Sequence, residues 1–171
     1  IVTNDKILND KLRKLRNHGL VSRDTVEMLG CNSRLDSIQA IIGNWLIDDV
    51  HNITDKRIKN AAYLDNNLSK INGITIPTRY KNRKLVYHLY IVFADDRDNL
   101  INFCKSKGIE VKIHYPIPVY RQEALSFLKH KKGDFPITDK HAQQMISFPA
   151  HDHLTNDQLE YIVKIVTQFY S

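Results

Sequence analysis

Leu85-Val86-Tyr87-His88-Leu89-Tyr90-Ile91-Val92-Phe93 is rich in β-branched and aromatic residues and reads as a strand. Beyond it, Arg97 to Lys107 carries Leu100, Ile101 and Cys104 at helical spacing and stops at Gly108. Ile109 to Tyr115 then returns to strand-like composition. Strand, helix and strand make a β-α-β unit, so the fold class is mixed α/β.

Ile74 to Ile76 adds a strand before this unit. After it come a short helix near Gln122 to Leu128, a helix from about Asp139 to Met145, and an apolar link at Ile146-Ser147-Phe148-Pro149. The last helix is the best marked: Thr155 caps it, Gln158 completes a capping box, and Leu159, Ile162, Val163 and Val166 form its buried face. Toward the amino terminus, Ile1-Val2-Thr3 reads as the end of a buried strand. Asn4 is the expected cap of a helix to about Asn17, with Leu8, Leu12 and Leu15 on one face and Gly19 as its stop. Residues 20–31 show no period and read as a loop, whereas Ser33 to Asp36 resembles a capping box leading to Ile38, Ile41, Ile42, Trp45 and Leu46. From Ser33 to Ile71 there is no proline and only Gly43, which predicts one long helix or two end to end, stopped by Asn72-Gly73. The expected divisions are residues 1–31, a helical arm over 32–72, and an α/β domain over 73–171.

The 171 residues, 42% hydrophobic and 26% charged, exclude the disordered and fibrous classes. The formal charge of +6 is spread along the chain. Its densest run, Arg79 to Lys84, is either a solvated loop or a patch for a phosphate backbone. Apolar runs reach about half of the roughly 20 residues a membrane helix needs. The start lacks Met and a signal-peptide pattern, and reads as a cut inside a longer protein. Cys31 and Cys104 have no metal or redox spacing, which points to free thiols in a reducing cytoplasm.

Six glycines, no two closer than eleven positions, exclude a Walker loop and a GxGxxG fingerprint. No serine sits in a nucleophile elbow, and neither cysteine has the setting of a known nucleophile. His151-Asp152-His153 has metal-like composition but no second ligand cluster, so a loop into the Thr155 cap is the better account. His114 and Tyr115 fall where Pro116 ends a strand, a common place for α/β sites and equally for a hydrogen-bonded structural histidine. Asn32 precedes the expected helix start, where it either caps the helix or donates to an anion beside free backbone N–H groups.

Several segments carry a family resemblance in their order along the chain. They are Leu15-Arg16-Asn17-His18-Gly19, Gly30-Cys31-Asn32-Ser33-Arg34-Leu35-Asp36-Ser37-Ile38-Gln39-Ala40, Tyr87-His88-Leu89-Tyr90, Gly108-Ile109, His114-Tyr115-Pro116-Ile117-Pro118 and Ser147-Phe148-Pro149, after the opening Ile1-Val2-Thr3-Asn4-Asp5. Together they resemble the carboxyl-terminal half of the DegT/StrS sugar aminotransferases, over essentially the whole chain. The resemblance implies the small domain of a fold-type-I enzyme, a mixed sheet with flanking helices behind a long helical arm. It implies pyridoxal phosphate as cofactor, an amino group moved from glutamate to a nucleotide-linked keto sugar, and an active site at a homodimer interface. The Schiff-base lysine of such an enzyme would lie upstream of Ile1, so no catalytic residue is expected here and the chain alone is expected to be inactive. Asn32 corresponds to an asparagine that reaches the neighbouring subunit's cofactor phosphate, with Arg34 supporting that loop or phosphate, or pairing with Asp36. His114 and Tyr115 line the sugar end of the site by the same resemblance, and His88 is either structural within its strand or near the pocket. Tyr120 stands where many members carry histidine, and Asp48 to Thr54 departs from the usual arm pattern. The rivals are a small basic α/β module for RNA or another anion, built on Lys84 to Phe93, and a purely structural dimerisation piece.

Overall fold

In the computed structural model, which describes residues 1–171, the chain forms two units, Ile1–Asp49 and Val50–Ser171. The division falls inside the stretch read as a helical arm.

In the first unit, helix α1 (Lys6–Leu15) is capped by Asp5, whose carboxylate accepts from Leu8 N at 3.0 Å. Asp5 takes the role expected of Asn4 because it stands immediately before the first helical residue and its side chain reaches a free N–H of the first turn. Arg13 and Lys14 in the last turn suit the negative end of the helix. Residues 20–31, expected to be loop, contain the small hairpin of β1 (Leu20–Ser22) and β2 (Thr25–Val26), tied to α1 by Lys14 Nζ and Glu27 Oε2 at 2.7 Å. Ile1 and Val2 are fully exposed and form no strand. Helix α2 (Ser37–Ile47) starts after Asp36, not at Ser33, and Asp36 makes no side-chain capping bond. No residue of α2 is buried.

The second unit begins with α3 (Val50–Leu68), so the stretch read as one or two helices is two, parted at Asp48-Asp49. Helix α3 buries Ala61, Leu64 and Leu68. Strands β3 (Ile74–Thr75), β4 (Tyr90–Ala94) and β5 (Met145–Phe148) form an antiparallel sheet in the order β3-β4-β5, with Ile74 opposite Ala94 and Val92 opposite Ile146. Along β4, Tyr90, Val92 and Ala94 are buried at alternate positions. Helix α4 (Arg97–Ser106) contributes Leu100, Ile101 and Cys104 to the core, and α6 (Asn156–Tyr170) contributes Leu159, Ile162, Ile165 and Val166. The Thr155–Gln158 capping box on α6 forms as expected. Between α4 and α6 lie two 3-10 turns (Val119–Arg121 and Glu123–Leu128) and helix α5 (Pro136–Gln144).

Three strand expectations change. The segment 85–89 is not a strand, because Tyr87 has φ of +48° and Arg57 binds the carbonyls of Tyr87 and His88. The Ile109–Tyr115 strand contracts to one bridge, Lys112 with Ser147. The supposed link at 146–148 is β5, which lies between β4 and that bridge and so completes the β-α-β unit from the middle.

Candidate functional site

The phosphate-side candidate belongs to the first unit. Gly19, at φ +76°, and Gly30 lie so close that a Cβ on Gly30 would stand 2.3 Å from Gly19 N. This approach brings residues 31–33 alongside the end of α1: Cys31 N donates to Leu15 O at 2.8 Å, His18 N to Cys31 O at 3.0 Å, and Ser33 N to Arg16 O at 2.9 Å. Asn17 and Asn32 form an antiparallel bridge within this frame. The backbone of Asn32 is therefore fixed while its side chain is exposed. Because α2 starts only at Ser37, Asn32 does not stand at a helix start, and the expected help from that helix's free N–H groups is absent. Arg34 is exposed, and the chain's ion pairs include none between it and Asp36.

The second unit contains a cleft of about 500 Å³ between the end of the sheet, α3 and α6. His88, His114, Ser147 and His151 line it, together with Arg57 from α3 and Tyr161 from α6. Arg57 Nη1 donates to Tyr87 O at 2.9 Å, and its Nε lies 3.9 Å from Asp152 Oδ1. Tyr87 is held at its ring as well, with the Arg79 guanidinium 5.4 Å from the centroid. Arg79 in turn makes a two-bond pair with Asp65, at 3.0 and 3.1 Å, and Tyr90 OH donates to the same carboxylate at 2.8 Å. Burial first, and then that carboxylate, push the Tyr90 phenol above its ordinary range. A residue at positive φ is thus fixed at both ends, which turns the following residue, His88, to the cleft. His88 is not within a strand, since β4 starts at Tyr90.

His114 Nδ1 lies 2.9 Å from Ser147 Oγ, and the edge of one ring meets the other between His114 and Tyr115, with centroids 5.5 Å apart. The peptide joining these two residues is cis. Tyr115 is 71% exposed and lies outside the cleft lining. The structure therefore brings His88 and His114 into one cleft within the second unit and does not place Tyr115 in its lining. Tyr120 is engaged elsewhere, donating to Asp139 Oδ1 at 2.6 Å. Sequence reasoning misses Arg57 and Ser147 as residues of the cleft. Arg57 is one of several cations on a helix and gives no signal, whereas Ser147 stands in the Ser-Phe-Pro segment that contributes to the resemblance.

The residues of the rival readings are committed to other contacts. Arg79 pairs with Asp65, Lys84 with Asp55 at 3.0 Å, and Arg83 lies over Tyr80. Tyr90, which an aromatic RNA platform needs at the surface, is 1% exposed. In the 151–153 loop, Asp152 faces Arg57 and His153, and Asn60 Nδ2 donates to His151 O at 2.8 Å. Lys14 and Lys112 pair with Glu27 and Glu110.

Comparison with known proteins bears on the family and the fold. The model of the DegT/DnrJ/EryC1/StrS aminotransferase family matches residues 1–167. The chain is 34% identical over 99% of its length to the pleiotropic regulatory protein of Geobacillus stearothermophilus, covering 46% of that protein. It is 33% identical over 98% of its length to the UDP-2-acetamido-2-deoxy-3-oxo-D-glucuronate aminotransferase of Pseudomonas aeruginosa, covering 45% of it. Among solved structures, that of Streptomyces venezuelae DesV in complex with a ketimine intermediate superposes with a TM-score of 0.93 at 30% identity, over 99% of this chain and 46% of that one. The chain spans about half the length of the curated relatives it matches. With the family model matched over nearly every residue and the fold reproduced, the chain belongs to the DegT/DnrJ/EryC1/StrS aminotransferase family.

Proposed function

We propose that this chain is the carboxyl-terminal portion of a pyridoxal-phosphate-dependent enzyme that transfers an amino group, from glutamate, to a nucleotide-linked keto sugar. Residues 1–31 then end the large domain and 32–72 form the arm, whose second helix, α3, packs into the core of the small domain over 73–171. The observation that carries the reading is Asn32: its backbone is pinned to the end of α1 and its carboxamide is exposed, available to another protein surface. An amide donates N–H to a dianion without adding charge, so Asn32 suits the cofactor phosphate of a second subunit, with the exposed Arg34 two residues on as support for that loop or phosphate. This makes the functional unit a homodimer. The exposed Ile38, Ile41 and Trp45 of α2 suit such an assembly.

When bound, the cofactor supplies an electron sink for the reaction. The chain's own residues bind and orient. His88 and His114 face the sugar in the cleft, and the exposed Tyr115, next to His114 in the chain, is offered to the part of the substrate outside it. Lys14 and Lys112 are engaged by carboxylates rather than offered as free amines, which makes them poor substitutes for the Schiff-base lysine. On this reading the chain alone does not transaminate. Two thiols outside any disulfide accord with a cytoplasmic enzyme.

The test is a chimera in which the chain replaces the matched part of the Streptomyces venezuelae transaminase. The chimera is expected to retain the cofactor, and Asn32→Ala to weaken its retention by about 10- to 100-fold, the loss of a hydrogen bond to a charged group. Unchanged retention with Asn32→Ala and unchanged turnover with His114→Ala refute the assignment. The isolated chain is expected to form no visible absorbance band with pyridoxal phosphate. A borohydride-fixed adduct at one lysine would contradict its predicted inactivity.

A further inference from the structure

Ser147 is a polar residue at a buried strand position, 6% exposed, flanked by the buried Ile146 and Phe148. A hydroxyl in such a place costs free energy unless it is hydrogen-bonded. Its partner is the Nδ1 of His114, at 2.9 Å. The same residue holds the neighbouring segment by its backbone: Ser147 N donates to Lys112 O at 2.8 Å and Lys112 N to Ser147 O at 3.2 Å. On its other side Ser147 stands opposite Ile91 of β4. One residue of the sheet thus fixes both the chain that carries His114 and the ring itself.

The contact is compatible with either direction, and the serine proton meets this ring as an acceptor only when Nδ1 is unprotonated. A serine hydroxyl has one proton to donate, and His114 Nδ1 is the acceptor within reach. If Nδ1 carried the proton instead, the buried hydroxyl hydrogen would be left without this partner. With Nδ1 accepting, a neutral imidazole must carry its proton on Nε2.

We infer that Ser147 is a positioning residue that holds neutral His114 as the Nε2–H tautomer, so that the cleft is offered an N–H donor. A donor there fits a carbonyl or hydroxyl oxygen of the substrate sugar. That last step rests on the functional reading above, whereas the tautomer does not. The Ser-Phe-Pro segment thereby gains a chemical role, since its serine prepares a ring contributed by the His-Tyr-Pro segment.

The test is the imidazole nitrogen spectrum of the ¹⁵N-labelled full chain at a pH where His114 is neutral. The wild type is expected to show His114 as Nε2–H with no Nδ1–H population. Ser147→Ala keeps both backbone bonds to Lys112 and is expected to release the ring, with an Nδ1–H population appearing while the amide signals of β4 and β5 persist. Ser147→Thr, which keeps the hydroxyl, is expected to restore the wild-type pattern. A wild-type ring protonated on Nδ1 overturns the inference whatever the variants do, as does a Ser147→Ala spectrum identical to wild type. Failure of the chimera to use a nucleotide sugar would instead remove the proposed occupant of the cleft and leave the tautomer standing.

Discussion

Helices α2 and α3 follow one another in the chain and have opposite fates. Helix α2 is the more apolar in sequence, with Ile38, Ile41, Ile42, Trp45, Leu46 and Ile47 in eleven residues, yet it buries none of them. Helix α3 has a more polar sequence and buries Ala61, Leu64 and Leu68 completely. Before Val50 the one buried residue is Gly19; after it a continuous core joins three helices to the sheet. Apolar content states what a helix can cover, and only a facing surface makes that burial happen.

The largest expected effect tests this contrast directly. Leu64→Ala should destabilise the second unit by about 2–5 kcal/mol, the usual cost of a cavity in a packed core. Trp45→Ala in α2 should change the stability of the monomeric chain by no more than about 0.5 kcal/mol, because a ring exposed in a single copy leaves no cavity. Urea unfolding followed by circular dichroism measures both, and equal losses would break the contrast.

High pH is the next probe. Burial pushes the Cys104 thiol from its ordinary 9.0 up to about 11. Burial, followed by the charges of Asp95 and Asp96, pushes the Tyr170 phenol from 10.0 to about 12. Both groups are acids that ionise more readily in the unfolded chain, so the folded state holds more protons in this window and stability falls as pH rises. The loss should begin near pH 9, and Cys104→Ala should flatten its portion between pH 9 and 11. Melting temperature against pH is the measurement.

Thr155→Ala should cost about 1 kcal/mol, the usual value of an N-cap, and should appear in the main unfolding transition because α6 is part of the core. Asp5→Ala removes an equivalent cap from α1, which buries nothing, and should reduce local helix signal without moving that transition. The smallest effect is expected from removing residues 1–49: the remaining 50–171 should keep its unfolding midpoint and its cooperativity. A large drop in midpoint would show that the core of the second unit depends on the first.

Local chemistry was legible in the sequence and distant pairing was not. The α6 capping box requires only Thr155 and Gln158, three positions apart, and both the signal and the structure agree there. Strand β5 becomes a strand through Tyr90–Phe93, far earlier in the chain, and its four residues contain no alternation to announce it. The opposite error occurs at 85–89, where an apolar run looks like a strand but Arg57, thirty positions upstream of Tyr87, takes the carbonyl. Near Asn32 the Ser33-to-Asp36 pattern resembles a capping box, yet the helix starts only after Asp36, whose side chain makes no capping bond. The site shows the same division. His88 and His114 could be named from their segments, whereas Arg57 and Ser147 could not, since their importance lies in which carbonyl or ring nitrogen they meet in three dimensions.

The order of the sheet has a consequence for how the protein is made. Strand β5 lies between β4 and the Lys112 bridge but is later in the chain than both. On a ribosome, the segment bearing His114 emerges well before the residues that hold it, and translation must pass Phe148 before the two flanking pieces can be joined. The cleft is therefore among the last features a nascent chain can complete, and a stalled or shortened product ending before Met145 would display an unpaired β4 edge to its neighbours.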